Sequence, residues 1–258
     1  MKTQTIAVAN EKGGVGKTVT VINLAAALTR SNKKVLVVDM DPQGNATKGL
    51  GIDVSGGNPS VYDLVQRPGA VAVADAIATT AWEGLDVIAG NVDLAGAEVE
   101  LVDVEGRENR LKEALEDLPD SYDFIFLDTP PSLSLLTVNV FSYARQVLIP
   151  CQTHPYAYGA LAELLDTVDA VKEEINPEID ILGIVPTFYD SRTRVSQQML
   201  SKLKQDERYR HLLFNTIVRS NTTIAESAAV GKPVVFYRRS SFGAIDYNDL
   251  ADELLEKL

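Results

Sequence analysis

The chain has 258 residues, 45% of them hydrophobic and 23% charged, with a formal net charge of −12. That size and apolar content can bury a sizeable core, and the net charge argues against a protein that coats nucleic acid with its whole surface. The single cysteine, Cys151, can form no intrachain disulfide and no apolar run approaches the roughly 20 residues of a membrane span, so we expect a cytoplasmic protein without stable membrane insertion. There is no internal repeat or low-complexity tract, and residues 1–258 read as one domain. The chain enters its first apolar run almost at once, so we expect neither a signal peptide nor an N-terminal helix-turn-helix module.

In chain order, β-rich apolar runs at Thr5–Ala9, Lys34–Val38, Leu85–Ile88, Phe124–Leu127, Gln146–Pro150 and Ile181–Pro186 read as strands. Helical patterns at Thr18–Arg30, Arg107–Leu118, Tyr158–Ile175, Val195–Gln205 and from about Ile245 fall between or after them. The glycine- and proline-bearing stretch Val54–Ser60 reads as a mobile loop. This alternation predicts an α/β fold, a mostly parallel doubly wound sheet with helices on both faces, in which ligands lie at the carboxyl ends of the strands.

Residues 11 to 18 read Glu-Lys-Gly-Gly-Val-Gly-Lys-Thr, at the turn between the first strand and the first helix. Gly13, Gly14 and Gly16 remove side chains so that successive backbone N–H groups face phosphate oxygens, and the helix N-terminus favours an anion. Lys17 is expected to reach the β and γ phosphates and the Thr18 hydroxyl to ligate Mg²⁺. The strict motif G-x-x-x-x-G-K-[ST] fails, because Glu11 stands where it has glycine, and Lys12 is an additional lysine. After the second strand, Asp39-Met-Asp41-Pro-Gln-Gly-Asn45 carries two aspartates that alternation places on one side, both expected to point toward the nucleotide. Phe124-Ile-Phe-Leu-Asp128-Thr-Pro-Pro-Ser132 is an apolar strand ending in an acid that would hold Mg²⁺ directly or through water, followed by a loop able to sense the terminal phosphate.

Together these boxes closely resemble the deviant Walker A ATPases of the ParA/MinD family, over nearly the whole chain. The resemblance implies P-loop NTPase architecture, ATP and Mg²⁺ as cofactors, and hydrolysis of ATP to ADP and phosphate. It implies nucleotide contacts through Gly13, Gly14, Val15, Gly16, Lys17, Thr18 and Val19. Lys12 would contact nucleotide bound by a partner subunit in an ATP homodimer, and Asp41 would activate water and join Thr18 and Asp128 around the metal. Asn221, in Thr216-Ile-Val-Arg-Ser-Asn221, matches the adenine-side segment, although Arg219 and Ser220 replace the family's usual proline and arginine. Thr187-Phe-Tyr-Asp190 would form the other wall.

Within the family the chain is most similar to the small ParA/Soj DNA-partition ATPases, which bind DNA non-specifically as ATP dimers and work with a ParB-like activator. Asp190 to Ser240 holds ten Lys/Arg against four acids, a local +6 that leaves −18 for the remainder. Arg192 matches a DNA-contacting arginine, a second such arginine is replaced by Thr223, and Arg194, Arg219, Arg238 or Arg239 would compensate. His154 and Gly159 stand where the family commonly carries glutamates, and His154 reads as a polar loop residue; with only His154 and His211 there is no histidine metal site. The alternatives are a MinD-like membrane-surface positioning ATPase, which the acidic run Asp246–Leu258 disfavours, and a small-molecule ATP-dependent ligase on the same fold. A nitrogenase-type iron protein is excluded by the lone cysteine.

Overall fold

The computed structural model describes residues 2–258. The first half runs β1 (Gln4–Val8), α1 (Lys17–Arg30), β2 (Val35–Asp39), α2 (Asn45–Gly49), α3 (Val61–Gln66), α4 (Val73–Ala76), β3 (Ile77–Thr79), β4 (Leu85–Ile88), α5 (Leu94–Glu100) and α6 (Arg110–Ala114). The second half runs β5 (Phe124–Asp128), α7 (Leu135–Tyr143), β6 (Gln146–Gln152), α8 (Pro155–Glu174), β7 (Asp180–Thr187), α9 (Arg194–Gln205), α10 (Thr222–Ala229), α11 (Val234–Tyr237) and α12 (Phe242–Lys257). The strands form one sheet in the order β3-β4-β2-β5-β1-β6-β7, parallel throughout except for the short edge strand β3. This is the P-loop NTPase-like arrangement that the sequence predicts.

Strand alternation divides the apolar side chains between two cores. Ile6, Val8, Val35, Val37, Phe124 and Phe126 pack with α1 and α12 on one face. Ala7, Leu36, Val38, Ile125 and Leu127 pack with α3, α5, α6, α7 and α8 on the other. A parallel sheet needs both faces covered, and each fully buried aliphatic side chain contributes about 1.5–3 kcal/mol. The register aligns Val8 with Asp128 and Asp39 with Asp128, so the loop after β1 and the carboxylates of β2 and β5 emerge side by side at one end.

Three differences from the sequence reading have local causes. The Arg107–Leu118 segment is a single 3₁₀ turn, Arg107–Asn109, followed by the five-residue α6, and Pro119 disfavours helical backbone at Leu118 before it. Helix α7 escaped detection because Leu-Leu-Thr-Val-Asn-Val-Phe-Ser-Tyr is apolar and β-branched around its whole circumference, as a helix buried by neighbours is. Val54–Ser60 contains a 3₁₀ turn at Val54–Gly56 and ends in an ordered cap, where the Asp63 carboxylate accepts from Ser60 N at 2.7 Å and Ser60 Oγ at 2.8 Å.

Candidate nucleotide-binding site

The cradle is built around Asn10, a residue the sequence reading passed over. Its buried side chain donates from Nδ2 to Pro150 O at 2.9 Å and accepts from Lys12 N at 3.0 Å through Oδ1, fixing the loop to the end of β6. Gly14 and Gly16 hold φ of +75° and +94°, which side chains rarely tolerate, so the loop can turn backbone N–H groups inward and then start α1 at Lys17. Val15 is fully buried and its carbonyl accepts from Thr187 Oγ1 at 2.8 Å, pinning the loop to the end of β7. The Phe188 ring lies against Gly16, at the Cα where a Cβ would come within 3.2 Å of it. Thr18 and Val19 continue into α1, both half-buried.

Lys17 and Lys12 take different directions. Lys17 Nζ is buried and donates to Asn10 O at 2.9 Å and Lys12 O at 3.4 Å, across its own loop. Burial lowers its pKa, opposed by the Asp128 and Asp41 carboxylates. Among the described residues Lys12 makes no ion pair, and its ammonium sits 5.6 Å from the centre of the Tyr156 ring. The loop therefore carries one lysine inside and one at its rim.

The two switch aspartates also separate. Asp39 is fully buried, and its carboxylate accepts from Thr47 N at 2.8 Å, Thr47 Oγ1 at 2.7 Å and Asp41 N at 3.2 Å. Asp39 thus ties β2 to α2, a correction to the expectation that both aspartates face the nucleotide. Gly90 is part of the same knot: its N–H donates to Thr47 Oγ1 at 3.0 Å, and a Cβ there would lie 2.5 Å from Asp39 O. Asp41 is buried at the start of the following loop, and among the described residues its carboxylate accepts only from Gln43 N, at 2.9 Å.

Asp128 is fully buried, yet among the described residues neither carboxylate oxygen finds a hydrogen-bond donor in bonding geometry. Burial, with the Asp39 and Asp41 charges adding to it, pushes its pKa well above the usual carboxylate range, opposed by the Thr18 hydroxyl and Lys17. Asp39 is pushed up to about 6 by burial, against its bonds to Thr47. Two unsatisfied carboxylate oxygens beside a hydroxyl are what a divalent cation would satisfy. Among the described residues no cluster of three or more His, Cys, Asp or Glu could hold an ion alone. Thr18, Asp41 and Asp128 are the oxygen-bearing side chains that would hold a divalent cation such as Mg²⁺ here.

Farther out, Asn221 is the N-cap of α10, its Oδ1 accepting from Thr223 N at 2.8 Å, while Thr223 is itself buried. Arg192 is exposed and forks onto Asp190, with bonds of 2.9 and 2.8 Å. Arg194 opens α9 as an exposed cation. Arg219 is placed differently from a free surface cation, because its guanidinium grips the buried Asp246 carboxylate at 3.0 and 3.1 Å and stacks over Phe242 at 4.1 Å. Arg238 and Arg239 are exposed after α11. His154 is the N-cap residue of α8, its ring 5.5 Å from Tyr156, and His211 is exposed.

The chain is similar to known proteins along nearly its full length. An AAA domain family model matches residues 3–181. The sporulation initiation inhibitor protein Soj of Bacillus subtilis is 43% identical, with 96% of this chain and 97% of Soj covered. The chromosome partitioning protein ParA of Myxococcus xanthus is 41% identical, with 98% of this chain and 88% of that protein covered. Among solved structures, cobyrinic acid a,c-diamide synthase from Mycobacterium smegmatis with bound ADP and magnesium superposes with a TM-score of 0.83 at 37% identity, covering 98% of this chain and 94% of that one.

Proposed function

The chain belongs to the ParA/Soj family of AAA-type P-loop ATPases, and from that premise we propose that it is a Mg²⁺-dependent ATPase that works as a switch. In this reading residues 1–258 act as one ATPase domain, two copies close around ATP, the dimer binds DNA non-specifically at the nucleoid, and a ParB-like partner triggers hydrolysis that releases it. The observation that carries it is the division of labour in the loop, with Lys17 turned into its own cradle and Lys12 held at the rim.

Bound Mg²⁺ would supply charge neutralisation at the β and γ phosphates. The protein supplies position. Backbone N–H groups of Gly13 to Thr18 cradle phosphate oxygens, Lys17 exchanges its carbonyl partners for phosphate, and the Thr18 hydroxyl with Asp128 fixes the metal side. Asp41 would orient a water toward the terminal phosphate, a role supported by its burial at the head of the loop after β2 and its single carboxylate bond from Gln43 N. Asn221 lines the adenine side. In phosphoryl transfer such positioning and charge stabilisation supply most of the catalysis.

Light scattering with ATP and Mg²⁺ tests this reading. The Asp41→Ala variant, unable to hydrolyse, is expected to accumulate as a dimer with ATP and remain monomeric with ADP. Lys17→Ala is expected to stay monomeric throughout. A wild-type and Asp41→Ala chain that both remain monomeric under saturating ATP would contradict the switch. A ligase of the kind named for the M. smegmatis structure would instead form product in proportion to ATP consumed.

A further inference from the structure

We propose that Tyr156 is the positioning residue for Lys12, holding its ammonium at the outer rim of the phosphate loop, from which it would engage a nucleotide bound by a second copy. The inference rests on the reading that Lys12 acts across a dimer.

Tyr156 is unusual for its place. It occupies the first turn of the 20-residue α8, directly after Pro155 at the first helical position, so its backbone is rigid. Its side chain is nevertheless 78% exposed. Among the described residues its hydroxyl makes no hydrogen bond, and its ring meets two groups, the His154 ring at 5.5 Å and the Lys12 ammonium at 5.6 Å. An aromatic ring so exposed contributes little to the core, whereas a cation within about 6 Å of the ring centre is attracted by its quadrupole.

The backbone at Lys12 explains why the ring can govern where the ammonium goes. Lys12 N donates to Asn10 Oδ1 and Lys12 O accepts from Lys17 Nζ, so both main-chain groups are committed to the cradle. Only the side chain is free to choose between the cradle and the rim. The cradle is already occupied by a buried cation, Lys17, which would repel a second one. Among the described residues no carboxylate pairs with Lys12; the adjacent Glu11 lies instead near Glu163 on α8, and burial together with that like charge raises its pKa. The Tyr156 face is the attractive group that remains. It keeps the ammonium partly desolvated and restricted, which lowers the entropy lost when the lysine engages a phosphate presented from outside.

The test is steady-state ATP hydrolysis by the full chain with Mg²⁺ at increasing protein concentration, extrapolated to saturation. Because Tyr156 is exposed, its variants are expected to fold normally. Tyr156→Phe and Tyr156→Trp keep the ring face and should keep the wild-type kcat. Tyr156→Leu keeps bulk and loses the face, and should lower kcat about two- to five-fold with KM for ATP unchanged, the size of an exposed cation–π contact. Phe and Leu variants behaving alike, or a Leu defect that disappears at saturating protein and so reflects only contact between copies, would overturn the role of Tyr156. Lys12→Ala retaining the wild-type kcat would overturn the dimer reading beneath it as well, so the two failures are told apart.

Discussion

At the scale of single residues, Asp128 is where function and stability pull in opposite directions. Its two carboxylate oxygens are buried without partners next to Asp39, and burial raises both pKa values. A raised folded-state pKa means that the folded protein holds the proton more tightly than the unfolded chain. The stability these groups contribute is therefore complete below about pH 4, the unfolded value, and is lost as pH rises, for Asp39 through about 6. Asp128→Asn is expected to raise the thermal midpoint at pH 7.5, by about 2–4 °C for each kcal/mol of relieved charge burial, with the gain shrinking toward pH 4. The same substitution should reduce Mg²⁺-ATP hydrolysis at least about ten-fold, since one charge at the metal side is lost. A midpoint that falls at pH 7.5 would show that Asp128 is not an uncompensated charge in the free protein. Thr47 offers a contrast: it satisfies Asp39 and holds Gly90, so Thr47→Val is expected to cost about 1–3 kcal/mol in urea unfolding, by removing one of the two bonds to Asp39 Oδ2 and leaving the buried Gly90 N–H without its acceptor.

At the scale of elements, the C-terminal region is tied to the sheet by charge. The grip of Arg219 on Asp246 joins the segment before α10 to α12, and Glu253 of α12 accepts from Asn215 N and Thr216 N at 2.7 and 2.8 Å. Arg219→Ala removes the guanidinium from the buried Asp246 carboxylate and leaves it only the backbone N–H of residue 219, which is expected to cost about 1–3 kcal/mol by urea unfolding, while Arg194→Ala should stay within about 0.5 kcal/mol. Equal stability of the two variants would contradict a structural duty for Arg219. This difference also marks what a sequence can reveal. The strand-to-helix turn at residues 11–18, the acid closing β5 and the alternation of β and α were legible because each is a local pattern with a fixed period or spacing. Asn10, Thr47 and Thr187 were not, because their work is done through partners about 140, 43 and 172 residues away. The split between Asp39 and Asp41 likewise depends on how α2 returns to β2, which strand alternation alone cannot express. Arg219 was read as surface charge because its partner lies 27 residues later on a helix whose inward face was not yet defined.

At the scale of the whole molecule, an acidic body carries cations concentrated between Asp190 and Ser240. Arg192, Arg208 and Arg219 are partly neutralised by Asp190, Asp206 and Asp246, which leaves Arg194, Arg210, Arg238 and Arg239 as exposed arginines of that region with no acidic partner among the described residues. Arg192 reaches the half-buried Asp190 from an exposed position, where solvent screens the pair, so Arg192 can exchange its carboxylate for phosphate. No helix of the described residues is long and apolar enough to cross a membrane. If DNA is the surface on which the switch works, binding should weaken steeply with salt through release of counterions, and charge reversal at Arg192 and Arg194 should flatten that dependence. The most direct measurement is retention of the chain on DNA with ATP, with ADP and without nucleotide, at low and moderate salt, alongside Lys17→Ala. The account predicts salt-sensitive retention with ATP alone, absent from the variant; retention that is the same in all nucleotide states, or missing from all of them, would contradict a nucleotide-gated DNA switch.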